Sequence, residues 1–303
     1  AIGDWFSLYY GDDKTGGDPS QRIPYTVVNK LVKAMFAEYS AVASEGSYQH
    51  LVDALDVHRK AAAQLALVGG ECYLKPCPVD SAFAFTLIPR DHVLIFGRSA
   101  DGELLDAGTM ERSAAGKNFY TLLERRTLDG DGFLTITNQL YRSLDRDGLG
   151  TQVSLQEHPG YAALQETYRY EAPLGGIGLV RMKTPMLNCV DGSSDGVSVY
   201  AAVAELIRNI DENEAQLKGE FSRGESRVIL SRDMLRDGEL QDHLFVGLDE
   251  DPEAVGMTIF NPNLRVDAYL ARKQEYLRNV ESLIGMRRGM LSDANMEERT
   301  ATE

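Results

Sequence analysis

Cysteine is scarce, with only Cys72, Cys77 and Cys189 among 303 residues. So small and odd a number argues against a disulfide scaffold and fits a reducing cytoplasm. Long hydrophobic runs are also missing, and no segment reads as a membrane span. Basic residues are in deficit, 31 against 46 acidic ones, and the resulting net charge of −15 at pH 7 repels phosphate backbones at long range. A tight grip on DNA or RNA is thereby ruled down, and no helix-turn-helix signal speaks for one. What is present is ordinary globular material, 43% hydrophobic and 25% charged, in a chain long enough for roughly two domains. The opening Ala1-Ile2-Gly3-Asp4-Trp5 shows neither an initiator Met nor a basic-then-apolar leader. No secretion signal is therefore expected, and both ends read as cut boundaries.

After a Gly/Asp-rich loop, Gly11 to Asp18, a helical pattern begins near Pro24 through Val28, Leu31, Met35 and Tyr39. A second runs from Tyr48 to Val68 through Leu51, Leu55, His58, Ala62 and Leu65, and Gly69-Gly70 supplies a left-handed stop. The period then changes to two. Cys72 to Leu74, Phe83 to Ile88 and Val93 to Phe96 read as short strands, and Leu104–Glu111, Asn118–Arg126 and Phe133–Tyr141 as an antiparallel meander. A last strand, Ile177 to Thr184, precedes the polar loop Asp191 to Gly196, the best internal boundary. Beyond it, Val199, Val203, Leu206, Ile210, Leu217 and Phe221 mark one stripe of a long helix, Val197 to Phe221, of roughly 37 Å. A strand-rich stretch from Arg227 to Phe260 follows. A second long helix, Asn263 to Met286, then places Val266, Leu270, Leu277, Val280 and Ile284 on one face, widened by Tyr269, Tyr276 and Leu283.

Signals for catalysis and ligand binding are thin. Gly11-Asp12-Asp13-Lys14-Thr15 lacks the Gly that a phosphate loop places before its Lys, and Asp13 there repels phosphate. Gly175-Gly176-Ile177-Gly178 lies before a strand, not between strand and helix, and reads as a turn. Asp129 to Gly132 and Asp145 to Gly148 have calcium-loop flavour, but the twelfth positions are Leu140 and Gln156, so both are expected to be hairpin turns. Cys72 and Cys77 lack the second ligand pair of a zinc site. The histidines, His50, His58, His92, His158 and His243, are scattered, with His58 on a buried helix face. No G-x-S-x-G elbow is present, and Asp233 or Glu239 has no partner as a general acid. Neither a cofactor nor a metal is expected.

One asymmetry is positive. In and beside the second long helix, Arg265, Arg272, Lys273, Arg278, Arg287 and Arg288 outnumber Asp267, Glu275 and Glu281, a basic stretch in an acidic protein. It reads as a solvated face with cations at the carbonyl end of the dipole, or as a surface for a polyanion or an acidic neighbouring subunit.

Several stretches carry a resemblance. They are Asn138-Gln139-Leu140-Tyr141-Arg142-Ser143, the Pro173-Leu174 to Thr184-Pro185 segment, Gly196 to Tyr200 leading into Ile210-Asp211, Phe221 to Leu230, Asn263-Leu264-Arg265-Val266 and Arg299 to Glu303. On these, the chain resembles the portal proteins of tailed bacteriophages, in the subfamily of temperate phages of Gram-positive hosts. The resemblance covers most of the chain from residue 25 onward.

It implies a structural protein, not an enzyme. Subunits would form a homo-oligomeric ring, usually of about twelve copies, assembled in the bacterial cytoplasm and carried in the virion. Double-stranded DNA would pass through its hole without sequence specificity. Terminase large subunit, head-tail adaptor and major capsid or scaffold protein would be the partners, with no membrane involved. Residues 1–195 resemble the wing, 196–289 the stem, with the two long helices flanking a clip-like insertion at 227–260. Residues 290–303 resemble the approach to the tunnel loop, whose following helix and the crown would lie beyond. The candidates for subunit contact or channel lining are then Ile210, Leu217, Arg265, Leu270, Arg272, Lys273, Leu277, Arg278, Ile284, Arg287 and Arg288.

The expected fold class is α+β: a mixed helical and antiparallel-sheet domain, then two long helices with a small β-containing insertion. The alternative function is a cytoplasmic α+β enzyme whose dispersed acidic groups and Cys72 meet in a cleft of the meander domain.

Overall fold

The computed structural model describes residues 2–11, 19–79, 82–225, 227–231, 245–248, 258–260 and 263–293. Asp12 to Asp18, Asp233, Glu239, His243 and everything from residue 294 onward, including Arg299 to Glu303, lie outside the described residues. So does the side chain of Cys77. The fold is α+β with mainly antiparallel sheets, and the chain separates into two compact units. One is formed by the N-terminal helix with residues 22–202. The other runs from Val203 onward and includes Pro19 to Gln21. The boundary thus falls after Ala202, and the polar loop at 191–196 is internal to the first unit.

The first unit is layered. Helices α1 (Ile2–Tyr10), α2 (Ile23–Met35) and α3 (Gln49–Gly69) come first, and α3 ends at Gly70 with φ 82°. Its small buried face, Ala62 and Ala66, packs on Cys72 and Leu74 of β1 (Glu71–Val79). The buried side of α2 is Val27, Val28 and Val32, whereas Met35 and Tyr39 are exposed, so the apolar period read through Tyr39 overshoots the helix. His58 and Leu55 are likewise not part of the core.

Strand β1 lies between β2 (Ala82–Pro89) and β9 (Val180–Lys183) in a three-stranded antiparallel sheet. Its side chains alternate. Cys72 and Leu74 face α3, and Tyr73 faces the second sheet, where it joins Ile88, Val93, Leu104, Ala107, Leu134 and Ile177. That second sheet is the expected meander, β3 (Val93–Arg98), β4 (Leu104–Ala115), β5 (Asn118–Leu128), β6 (Leu134–Ser143) and β7 (Thr151–Val153) in sequence order, with β8 (Thr167–Arg169) also on β6. Asp129 Oδ1 accepts the N–H groups of Asp131 (3.1 Å) and Phe133 (2.8 Å), so Asp129 to Gly132 is a hairpin turn, as its spacing predicts.

Across the inner face of this sheet runs a polar row, Thr109 opposite Glu124 opposite Asn138, each nearly buried. Lys75 of β1 reaches it, 3.3 Å from Glu124 and paired with Glu111, and Arg126 Nε donates to Glu124 at 2.6 Å. The row separates the core above from a second cluster of Tyr120, Leu122, Leu140 and Leu155.

In the second unit, α4 (Ala204–Arg223) and α5 (Val266–Ile284) flank β10 (Arg227–Ser231), β11 (Phe245–Leu248) and β12 (Thr258–Phe260), which form a sheet of order β11-β10-β12. At about 1.5 Å per residue the helices measure about 30 and 28 Å. The first is shorter than its apolar pattern predicts, because Val197 to Tyr200 are not helical. Val199 N donates to the Leu67 carbonyl at 3.0 Å, and the Tyr200 hydroxyl donates to the Trp5 carbonyl at 2.7 Å. These tertiary bonds recruit the first residues of the stripe into the core of the first unit. No helix among the described residues is long and apolar enough to cross a membrane.

Candidate interaction surfaces

The two long helices lie antiparallel, because the start of α5 meets the end of α4 and the middle of α5 meets the middle of α4. Glu220 takes both Nε and Nη2 of Arg265, at 3.0 and 2.9 Å. Asn213 Nδ2 donates to the Tyr269 carbonyl at 3.1 Å, and Lys273 Nζ pairs with Glu214 at 2.9 Å. Pro19 to Gln21 join this unit through Gln21, whose N–H donates to Asp211 Oδ1 at 2.7 Å and whose Oε1 accepts from Lys273 at 2.7 Å. On α4 the buried stripe is Ile207, Ile210, Asn213 and Leu217, spaced three or four apart as a packed helix face requires. Asn213 stands where the period expects an apolar residue. Its amide is spent on a main-chain carbonyl of the facing helix, which fixes how the two rods register.

Several expected contact residues need reassignment on this geometry. Ile210, Leu217 and Leu277 are buried within the chain, so they are packing residues with no free surface for a neighbour. Leu270 and Leu283 are the reverse, 47% and 61% exposed, because the buried side of α5 runs through Leu277, Val280 and Glu281. Ile284 is half-buried. The basic stretch is largely occupied inside the chain: Arg265 by Glu220, Lys273 by Glu214 and Gln21. Arg278 stands 3.9 Å from Glu275, and both Nε and Nη2 of Arg272 donate to the Tyr276 hydroxyl. Arg272, Arg287 and Arg288 remain on the surface.

The end of α5 is held by a carboxylate that the apolar pattern did not reveal. After the left-handed Gly285 the chain folds back, and Glu281, 1% exposed, receives N–H groups from Gly289 (3.2 Å), Leu291 and Ser292 (2.8 Å) and the Ser292 hydroxyl (2.8 Å). Burial pushes its carboxyl up, but the donors from Leu291, Ser292 and Gly289 outweigh that and hold it below its ordinary 4.5. A depressed carboxyl stabilises the fold above its unfolded value and loses that contribution as pH falls through the folded one. Replacing Glu281→Gln should therefore cost about 2 kcal/mol at neutral pH. The melting difference from the unaltered chain should stay constant down to about pH 5 and close below it. A pH-independent difference would show that the charge is immaterial.

Groups with catalytic potential are placed unfavourably. Cys72 is fully buried, and burial pushes its thiol up to about 12, which removes it as a nucleophile in any cleft. Among the described residues, one hydroxyl lies beside a histidine, Ser113 Oγ at 3.4 Å from His158 Nε2. The His158 ring lies between Tyr120 and Tyr161, and its Nδ1 accepts the Gly160 N–H at 3.2 Å. That bond leaves the proton of the neutral ring on Nε2, pointing at Ser113, the opposite of what a general base needs. Among the described residues no three His, Cys, Asp or Glu side chains converge as a metal site would require. Comparison with the models of known protein families and with curated proteins gives no match to this chain.

Proposed function

We propose that the chain is a subunit of a portal ring of a tailed bacteriophage, a structural conduit through which double-stranded DNA enters and leaves the capsid. The observation that carries the reading is the antiparallel pair of rods with a small sheet spliced into the connection between them, following a layered α+β unit. In this reading the first unit acts as the wing, α4 and α5 as the stem, and β10 to β12 as the clip. Terminase, head-tail adaptor and capsid or scaffold protein dock on the assembled ring. Charge supports it physically. The net charge of −15 makes the surface of the chain acidic on the whole. Such a surface lets a duplex with one charge per roughly 1.7 Å slide past instead of adhering.

About twelve copies would carry a charge of about −180, so assembly depends on short-range contacts that offset repulsion. Light scattering on the eluting protein, followed by negative-stain imaging, should reveal rings with a central hole whose yield rises with salt. Arg272→Glu, which disturbs no carboxylate pair, should lower that yield. A monomer at every concentration and salt tested would overturn the reading.

A further inference from the structure

Positive charge collects at one place in the first unit, although the chain as a whole carries −15. Residues directly opposed on neighbouring antiparallel strands project to the same face of a sheet. Lys183 stands opposite Glu71 and Arg181 opposite Tyr73, so both cations of β9 share the face that Tyr73 turns toward the second sheet. Because β9 is an edge strand, they sit at the rim of that face. Arg90, from the turn before β3, and Arg98, from the end of β3, join the same network through Glu71 and Asp195.

Formal charge does not cancel there. Glu71 stands 3.4 Å from Arg90 Nε and 3.8 Å from Arg181 Nη1, and Asp195 is shared by Arg90 and Arg98. Lys183 Nζ donates to the Ser194 carbonyl at 2.7 Å, which adds no negative charge. Among the described residues no further carboxylate pairs with these four cations, so two carboxylates leave a surplus of two positive charges. Arg181 Nη1 is buried without a hydrogen-bond partner, and the rest of its guanidinium makes no bond among the described residues. The neighbouring network of Lys75, Arg126, Glu111 and Glu124 sets two cations against two carboxylates, so the surplus is particular to the β9 rim.

We infer that Arg181 and Lys183 hold a small phosphate-type oxyanion at the rim of the three-stranded sheet. Charge and shape set the ligand class. A phosphate group carries close to two negative charges at neutral pH, matching the surplus, where a carboxylate carries one. The guanidinium fork meets two oxygens at once, and the ammonium meets another as a point charge. Two residues along a strand stand about 6.6 Å apart, within reach of both long side chains. Ser194 already holds Lys183, and Glu71 already faces Arg181, so little freedom is lost on binding. A long polyanion is disfavoured, because the net charge of −15 repels it. The site lies within the first unit and does not depend on the ring reading.

Inorganic phosphate is the probe, exchanged for chloride at constant ionic strength. Its phosphorus resonance should broaden saturably with added protein, and the unfolding midpoint read from buried Trp5 should rise until the site is filled. Lys183→Gln should fold normally, since this exposed side chain meets a single carbonyl, and should raise the phosphate concentration for half-saturation roughly tenfold. Arg181→Gln should abolish saturation, and Lys183→Gln decides the matter if the loss of a neighbour of Glu71 prevents folding. Phosphate also stabilises proteins in general through exclusion from their surface, an effect that does not saturate. An equal, unsaturated rise in the unaltered chain and the variants would overturn the site. Saturation indifferent to both substitutions would do the same, showing an adventitious ion only. Displacement of phosphate by a short DNA duplex at equal total phosphate would overturn the choice of a small free oxyanion.

Discussion

Gly196→Ala should unfold the first unit, costing about 4 kcal/mol or more. A Cβ there would collide with the Gly70 carbonyl oxygen and the Glu71 side chain, while Gly70 itself sits at φ 82° with no room for a side chain. The crossing cannot open easily. Thr184 clamps it, its N–H donating to the Gly70 carbonyl at 2.9 Å and its hydroxyl lying 2.8 Å from the Val197 carbonyl and 3.2 Å from that of Gly70. The strain would therefore fall on main chain shared by α3, β1 and the segment leading to α4. Trp5 is the only tryptophan and is buried in this unit, so its fluorescence reports the unit's unfolding by denaturant. The matched control is Gly130→Ala. Neither Gly196 nor Gly130 has positive φ, but nothing lies within 4 Å of the would-be Cβ of Gly130, so a change of less than about 1 kcal/mol is expected. Equal losses at the two positions would mean that the crossing does not govern the site.

The second large effect is expected at Glu71. This carboxylate is fully buried and accepts the Gly196 N–H at 2.7 Å and the Tyr73 hydroxyl. Arg90 Nε and Arg181 Nη1 stand 3.4 and 3.8 Å away. Neither of those two nitrogens has a hydrogen-bond partner, so their charge is balanced by proximity to Glu71. Burial, and then the Glu71 charge, push the Tyr73 phenol far above its ordinary range, which keeps it a donor. Glu71→Ala would leave buried guanidinium charge short of a counterion and two donors without an acceptor, a loss of about 3–5 kcal/mol. Asp195, which also meets Arg90 (3.2 Å) and Arg98, limits but does not cancel it. Glu71→Gln keeps an acceptor for Gly196 and should fall between. The Trp5 unfolding midpoint checks both variants. Because Glu71 and Gly196 touch, the double variant should lose less than the two losses added together.

The parts of this molecule that could be read from sequence are those set by local chemistry. The meander is legible because β4, β5 and β6 alternate and are separated by turns such as Asp129 to Gly132. The stop of α3 is legible because Gly69-Gly70 leaves little choice. What could not be read is set by partners remote in the chain. Val197 to Tyr200 continue a helical period, yet Leu67 and Trp5 claim their hydrogen bonds. Asn213 and Glu281 sit in helix seams because the opposing surface supplies acceptors or donors, and hydrophobicity is blind to both. The same blindness placed Leu270 in a seam it lies beside. One signal was available and unused. Val93 to Phe96 is apolar on both faces, whereas a strand at the sheet edge with one open face usually alternates, and Leu94 and Phe96 are the two that stand exposed.

The two bonds of Gln21 have a consequence for the order in which this protein is made. Its partner Lys273 lies 252 residues downstream. At about 5–20 residues per second a ribosome takes about 13–50 s to cover that span. For all of that time the segment of Gln21 is waiting for a helix that does not yet exist, so the second unit can be completed only when α5 has emerged and meets a segment made long before it.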